Sequence, residues 1–226
     1  MKVAVVVFPG SSCAPDAVYA YRDVLGLDVK TIWHQEDSAP SVDLMIIPGG
    51  AAYGDYLRPG ALTKASPVVG VIRKHAQEGR PLIGIGNGFQ ILCELDILPG
   101  VLLPNTVSRF LNTQTYVCVD NTKSVFTKHL DPEHVMQLPI CCYNGRYFAD
   151  KRTLKDLEEE GHIAFRFCDV EGDVDLANPY NGSANSIAAI LSRHENVLGM
   201  IHHPERAIDP ERGSVDGRAI LESVMK

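Results

Sequence analysis

Gly84-Ile85-Gly86-Asn87-Gly88 is the segment whose residue types and spacing could do chemistry. It joins an apolar run, Leu82–Ile85, to helical sequence from Phe89 onward. Two glycine-rich turns have this form. A dinucleotide fingerprint, G-x-G-x-x-G, needs a third glycine after the first strand and an acidic residue about 20 positions on. Position 89 is Phe, and several strand-like runs come earlier. A nucleophile elbow, G-x-Nuc-x-G, holds a reactive side chain on a sharp strand-to-helix turn, at the positive end of the helix. The frame fits this second form, but its centre is Gly86, which has no side chain to attack anything.

The other chemistry-bearing residues form no familiar array. Cys13, Cys93, Cys118, Cys141, Cys142 and Cys168 make no CxxC pair, and no secretory signal follows Met1. They read as reduced thiols, most of them small buried hydrophobes. Cys141 and Cys142 are adjacent on a strand-like stretch, so their side chains should point to opposite faces as two separately placed thiols. A cytoplasmic location is expected.

The elements that must position these groups alternate over the first hundred residues. Val3–Phe8, Val29–Trp33, Leu44–Ile47 and Leu82–Ile85 read as strands. Helical sequence spans Ala14–Leu25 and Phe89–Leu95, with a longer segment from Thr63 to Gln77 in which Pro67 marks a start or a break. The strand runs are too continuously apolar for one-sided strands, which predicts a sheet covered on both faces. Later come β-like stretches at Gln114–Val119 and Val135–Ile140, a helix near Arg152–Glu160 and strands at Ile163–Cys168, Ile187–Leu191 and Val197–Ile201. A closing helix spans Ser214–Met225. The expectation is a single α/β domain over 1–226, mostly parallel with antiparallel additions.

The chain has 226 residues, Lys+Arg 21, Asp+Glu 28 and a formal net charge of −7. That balance offers no basic footprint for nucleic acid. No apolar run approaches the roughly 20 residues of a membrane span. No cofactor or metal motif is present, so none is expected in this chain.

Gly84–Gln90 followed by Ile91-Leu92 resembles the Gly-Val-Cys-Asn-Gly-Phe-Gln-Ile-Leu elbow of class I glutamine amidotransferases. Within them it is similar to the small glutaminase subunits of phosphoribosylformylglycinamidine synthases. Val5–Ser12 resembles the family's first strand and turn; Ile46–Gly50 and Tyr53–Arg58 resemble its oxyanion loop and the segment after it. Asn181-Gly-Ser183, Asn196–Met200 and His203-Pro-Glu-Arg-Ala207 follow in order. The resemblance covers nearly the whole chain and implies a flavodoxin-like, amidotransferase fold.

In that family a Cys thiolate attacks the glutamine side-chain amide, a His carries the proton and a Glu orients the His, the nucleophile–base–orienter logic of acyl transfer. The resemblance implies that His203 is the base position and Glu205 the orienter. It also implies that Gly49, Gly50 and the backbone N–H at Asn87 form the oxyanion site, since a backbone donor needs no side chain. Gly86 then occupies the nucleophile's place. A second departure lies in Pro139–Tyr147, where Cys142, Tyr143 and Asn144 replace the family's His-Gly-Glu beside bound glutamine. His202 stands where Pro is common, and Ala51-Ala52 where Phe-Ser is common.

The expectation is a subunit deficient in glutamine hydrolysis that serves a larger ATP-dependent synthetase as a non-catalytic or regulatory partner. By resemblance, a small bridging subunit completes the set, with ATP and Mg on the synthetase. Two alternatives stand beside it. One is an ordinary glutaminase subunit inactivated at position 86. The other is a pocket repurposed for another small molecule, or one in which Cys142 acts as a relocated nucleophile.

Overall fold

A computed structural model describes residues 1–177 and 179–225, with Arg212 described by its backbone alone. The strands are β1 (Lys2–Val7), β2 (Asp28–Trp33), β3 (Leu44–Ile47), β4 (Leu82–Ile85), β5 (Val101–Leu103), β6 (Leu111–Val119), β7 (Met136–Cys142), β8 (Arg146–Phe148), β9 (Ile163–Cys168), β10 (Ile187–Leu191) and β11 (Val197–Met200). The helices are α1 (Ala14–Val18), α2 (Val68–Gln77), α3 (Asn87–Glu94), α4 (Lys151–Glu159) and α5 (Asp216–Ser223).

One 9-stranded sheet runs β2-β1-β3-β4-β11-β10-β9-β6-β7, and β5 pairs with β8 apart from it. The ladders from β2 to β11 are parallel. Those from β11 to β7 are antiparallel. The antiparallel additions thus make up half the sheet and carry β7 round to the turn after β11, where Ile140 bridges His202.

The continuous apolar runs are explained by a core on each face. Val3, Val5, Leu44, Ile46 and Ile83 pack towards Ala17 and Tyr21 on one side and towards Ile220 and Leu221 from α5. Ala4, Val6, Met45, Ile47 and Leu82 pack on the other side with Ile72 of α2, Phe89 of α3 and Leu157 of α4. Successive residues therefore enter opposite cores, as the pleat requires.

Several elements differ from the sequence expectation. Helix 14–25 is α-helical only through Val18 and continues as a π-helical segment, Tyr19–Val24. The expected helix 63–77 is two pieces, a 3₁₀ turn at Ala61–Ala65 and then α2. Pro67 is the reason: Ser66 before it is extended (φ −81°, ψ 134°), as a residue preceding proline is driven to be. The short strands β5 and β8 carry too few residues to show a period. Among the described residues, no helix is long and apolar enough to cross a membrane.

Candidate active site

β4 ends at Ile85 and α3 begins at Asn87, so the whole reversal falls on Gly86. Its φ of 53° and ψ of −109° lie where an L side chain is strained by about 1–3 kcal/mol. Both sides fix the turn. The Gly86 N–H donates to Met200 O of β11 at 2.8 Å, and Gly86 O accepts from the N–H of Phe89 at 3.0 Å. The result is a sharp strand-to-helix turn whose central residue has no side chain.

The ring of His203 stands over that turn. A Cβ built on Gly86 would lie 3.0 Å from His203 Nε2, 3.2 Å from Cε1 and 3.7 Å from Gly49 Cα. His203 follows β11, and its N–H donates to Pro139 O of β7 at 2.9 Å. The ring can approach because position 49 is glycine: a Cβ there would meet His203 Cε1 at 2.5 Å. Pro204–Arg206 forms a 3₁₀ turn, which brings Glu205 Oε1 to 2.7 Å from His203 Nδ1. With Nδ1–H donating to that carboxylate, Nε2 presents its lone pair towards Gly86. His203 and Glu205 are both buried, and neither Nε2 nor Glu205 Oε2 has a hydrogen-bond partner.

The glycine loop and the elbow are clamped by one side chain. Asn87 Oδ1 accepts from Ala52 N–H at 2.9 Å, while its Nδ2 donates to Gln90 Oε1 at 2.7 Å and to Asp55 Oδ1 at 3.2 Å. Gln90 Nε2 in turn donates to Asn144 O at 2.7 Å. Gly50 (φ 135°) lies against the first turn, where Ala51 N–H donates to Gly10 O at 2.9 Å. The first N–H groups of a helix have no intrahelical carbonyl, and that of Asn87 is among them in α3. Burial raises the Asp55 carboxyl above its ordinary value against the lowering effect of the Asn87 hydrogen bond.

Gly50, Asn87, Cys142, Tyr143 and Asn144 line one cavity of about 240 Å³. Gly49, Gly86, His203 and Glu205 cluster beside it. Cys141 is more exposed than Cys142, as the strand alternation predicts, and both residues are among those lining this cavity. Burial pushes the Cys142 thiol up to about 12, so it is protonated at neutral pH. Its Sγ packs against Gly145. A protonated thiol on β7 is not an activated nucleophile. A larger hollow of about 690 Å³ lies at the C-terminal end of α3, beside α4, and holds none of these residues.

The sequence gives no sign of two further contacts. Arg206 Nη2 lies 3.2 Å from Cys13 Sγ and Arg206 Nε 3.0 Å from Asp16 Oδ2. Burial still pushes Cys13 up to about 11, outweighing the pull of the guanidinium. His202 is buried, with Nε2 2.7 Å from Thr115 Oγ1, and burial together with the adjacent His203 lowers it to about 3. Both pairs join positions far apart in the chain, which local spacing does not reveal. Within Tyr53–Arg58, Tyr53 Oη reaches His34 Nδ1 at 2.8 Å and Arg58 pairs with Glu94, leaving Tyr56 and Leu57 exposed between them.

The fold has counterparts. The pattern of the CobB/CobQ-like glutamine amidotransferase domain matches residues 1–220. The phosphoribosylformylglycinamidine synthase subunit PurQ of Aquifex aeolicus is 44% identical over 226 residues, covering 100% of this chain and 99% of that one. The chain belongs to the PurQ-type glutamine amidotransferases. The PurQ subunit of Gloeobacter violaceus is also 44% identical, over 225 residues, 100% of this chain and 97% of its own. A chain in the structure of PurLQS from Thermotoga maritima superposes with a TM-score of 0.87 at 32% identity, covering 99% of this chain and 97% of that chain. The PurQ-type fold therefore extends over both halves of the sheet, antiparallel part included.

Proposed function

We propose that this chain is the PurQ-type subunit of a phosphoribosylformylglycinamidine synthase complex that does not hydrolyse glutamine. The observation that carries the reading is the glycine at the centre of the elbow. On this reading His203 is the base and Glu205, 2.7 Å from its Nδ1, the orienter; Nε2 lies 3.0 Å from where a Cβ on residue 86 would be, and Gly86 has nothing to attack with. Without a thiol no glutamyl-enzyme intermediate forms. Direct attack by water remains, but losing a covalent nucleophile costs on the order of 10⁶ in rate in a comparable hydrolase. The changed residues Cys142, Tyr143 and Asn144 on the same cavity support divergence of the site as a whole. Tyr143 adds a ring where the family has no side chain, and Asn144 carries no charge.

On this reading the partners are a large ATP-dependent synthetase subunit, which holds ATP and Mg, and a small bridging subunit. The chain itself needs no cofactor, works in the cytoplasm and contributes a docking surface. Tyr56 and Leu57 project into solvent close to the glycine loop and suit that role. The synthetase then draws on free ammonia or another donor. Co-purification with the synthetase subunit, with synthesis driven by ammonium and not by glutamine, is the expected result. A monodisperse chain with no affinity for that subunit contradicts it.

A second reading is favoured by the intact frame itself. The elbow backbone, the Asn87 clamp and the His203–Glu205 pair would serve an ordinary glutaminase subunit altered at one residue. Gly86→Cys separates the two. Full glutamine hydrolysis in that variant supports the single-site reading and removes the argument from Cys142–Asn144. A third reading, a pocket for a different small molecule, rests on the open cavity of about 240 Å³. Ligand screening by thermal shift tests it, since binding to the native state raises the melting temperature.

A further inference from the structure

The cavity of about 240 Å³ beside Gly86 has an aromatic mouth. The last rung of the β6–β7 ladder is Leu111–Cys142. The next residue out on each strand is aromatic, Phe110 on one and Tyr143 on the other, and both line the cavity. Phe110 is 58% exposed and Tyr143 43%. Two rings held open at one cavity offer flat apolar faces on which a planar ligand can stack.

One buried side chain braces both segments that carry these rings. Asn105 Nδ2 donates to Cys142 O at 3.0 Å and to Arg109 O at 3.3 Å. Its Oδ1 accepts from Gly145 N–H at 3.2 Å, and its backbone N–H donates to Tyr143 O at 3.0 Å. Gln90 Nε2 holds Asn144 O at 2.7 Å, and Asn181 Nδ2 holds Gly145 O at 2.8 Å. The backbone beside both rings is thus fixed before any ligand arrives, which lowers the ordering cost of binding.

The polar groups of the cavity narrow the ligand further. Arg206, the cation on its wall, is engaged by Asp16 and Cys13, so the cavity is not built around an anion. Asp55 gives Oδ1 to Asn87 and keeps Oδ2 for another donor. The Asn144 side-chain amide has no hydrogen-bond partner among the described residues. A carboxylate oxygen accepts from an amino group, and an amide supplies both a donor and an acceptor. Cavities that take drug-sized ligands run to about 300–1,000 Å³, so about 240 Å³ suits one small ring system. We propose that this cavity binds an amino-substituted nitrogen heterocycle of purine size, such as adenine, stacked on Tyr143 and Phe110 with its amino group on Asp55 and a ring nitrogen on the Asn144 amide. The proposal rests on the third reading above, a pocket for a different small molecule, and is independent of whether the chain docks on a synthetase.

The test uses the full chain alone, with 2-aminopurine as a fluorescent probe whose emission is quenched when it stacks. The expected result is saturable quenching that adenine reverses, and that purine, which lacks the amino group, reverses much less well. Tyr143→Gly should weaken binding on the order of tenfold or more, the range of one aromatic–base stack. Tyr143→Phe keeps the ring and should keep the binding. Asp55→Asn should remove the preference for adenine over purine. Absence of saturable quenching by the wild-type chain overturns the proposal without any variant. Unchanged affinity in Tyr143→Gly, or equal displacement by purine and adenine, also overturns it. A different small molecule that raises the melting temperature where adenine does not would overturn this proposal and leave the third reading standing.

Discussion

His203 Nε2 stands where a Cβ on Gly86 would be 3.0 Å away, while its other ring nitrogen is held by Glu205 at 2.7 Å. The ring is held and buried against a turn whose central residue has no side chain. Acyl transfer needs all the parts within hydrogen-bond reach. On the proposed reading the base and its orienter are present and the reacting atom is not.

Restoring the thiol should recover part of the machinery. Gly86→Cys places Sγ beside His203 Nε2, so the new thiol should be alkylated quickly by a glutamine-like electrophile. His203→Gln in the same background should suppress that reaction. The variant should also be less stable by about 1–3 kcal/mol, because an L residue must now adopt φ near 53°. Glutamine turnover should stay low until Cys142→His, Tyr143→Gly and Asn144→Glu are added. Mass spectrometry, denaturant melts and glutamate release read the three effects separately.

Asn87→Ala should cost about 2 kcal/mol in a urea melt. The side chain accepts from the buried Ala52 N–H and bridges Asp55 and Gln90. Removing it leaves a buried donor unsatisfied, and such a group costs about 1–3 kcal/mol. Asn87→Asp keeps the acceptor but faces the Asp55 carboxylate, so it should restore little. A loss under 0.5 kcal/mol for Asn87→Ala would mean that water replaces the clamp.

His202 makes stability depend on pH with a definite sign. Its folded value is near 3 and its ordinary value near 6.5, so between these the unfolded chain binds the extra proton. Stability from this residue is complete above about pH 6.5 and falls as pH drops towards 3. Between pH 6.5 and pH 5 the loss is about 2 kcal/mol. Replacing it with a non-titrating residue, His202→Gln, should flatten that part of the curve relative to wild type. Equal slopes in the two proteins would show that the buried imidazole does not remain neutral.

Much of this site was legible in the chain because it depends on local sequence. The Gly84–Gly88 turn lies between a strand and a helix, and a triplet such as His203-Pro204-Glu205 brings i and i+2 together on one turn. Strands β3, β4 and β9 match their apolar runs because nearly all of their apolar side chains enter one core or the other. What local reading misses is set by tertiary pairing. Cys13 meets Arg206, and Thr115 meets His202, across distant parts of the chain. The break at Pro67 was visible as an alternative, and the extended Ser66 decided it.

The central claim is that the complex forms and its PurQ-type subunit releases no ammonia from glutamine. Glutamate release by the chain assembled with its synthetase subunit, at saturating glutamine, tests it most directly. The account predicts background glutamate while ammonium supports synthesis. Glutamate formed in step with product, at the rate glutamine supports synthesis, would contradict it.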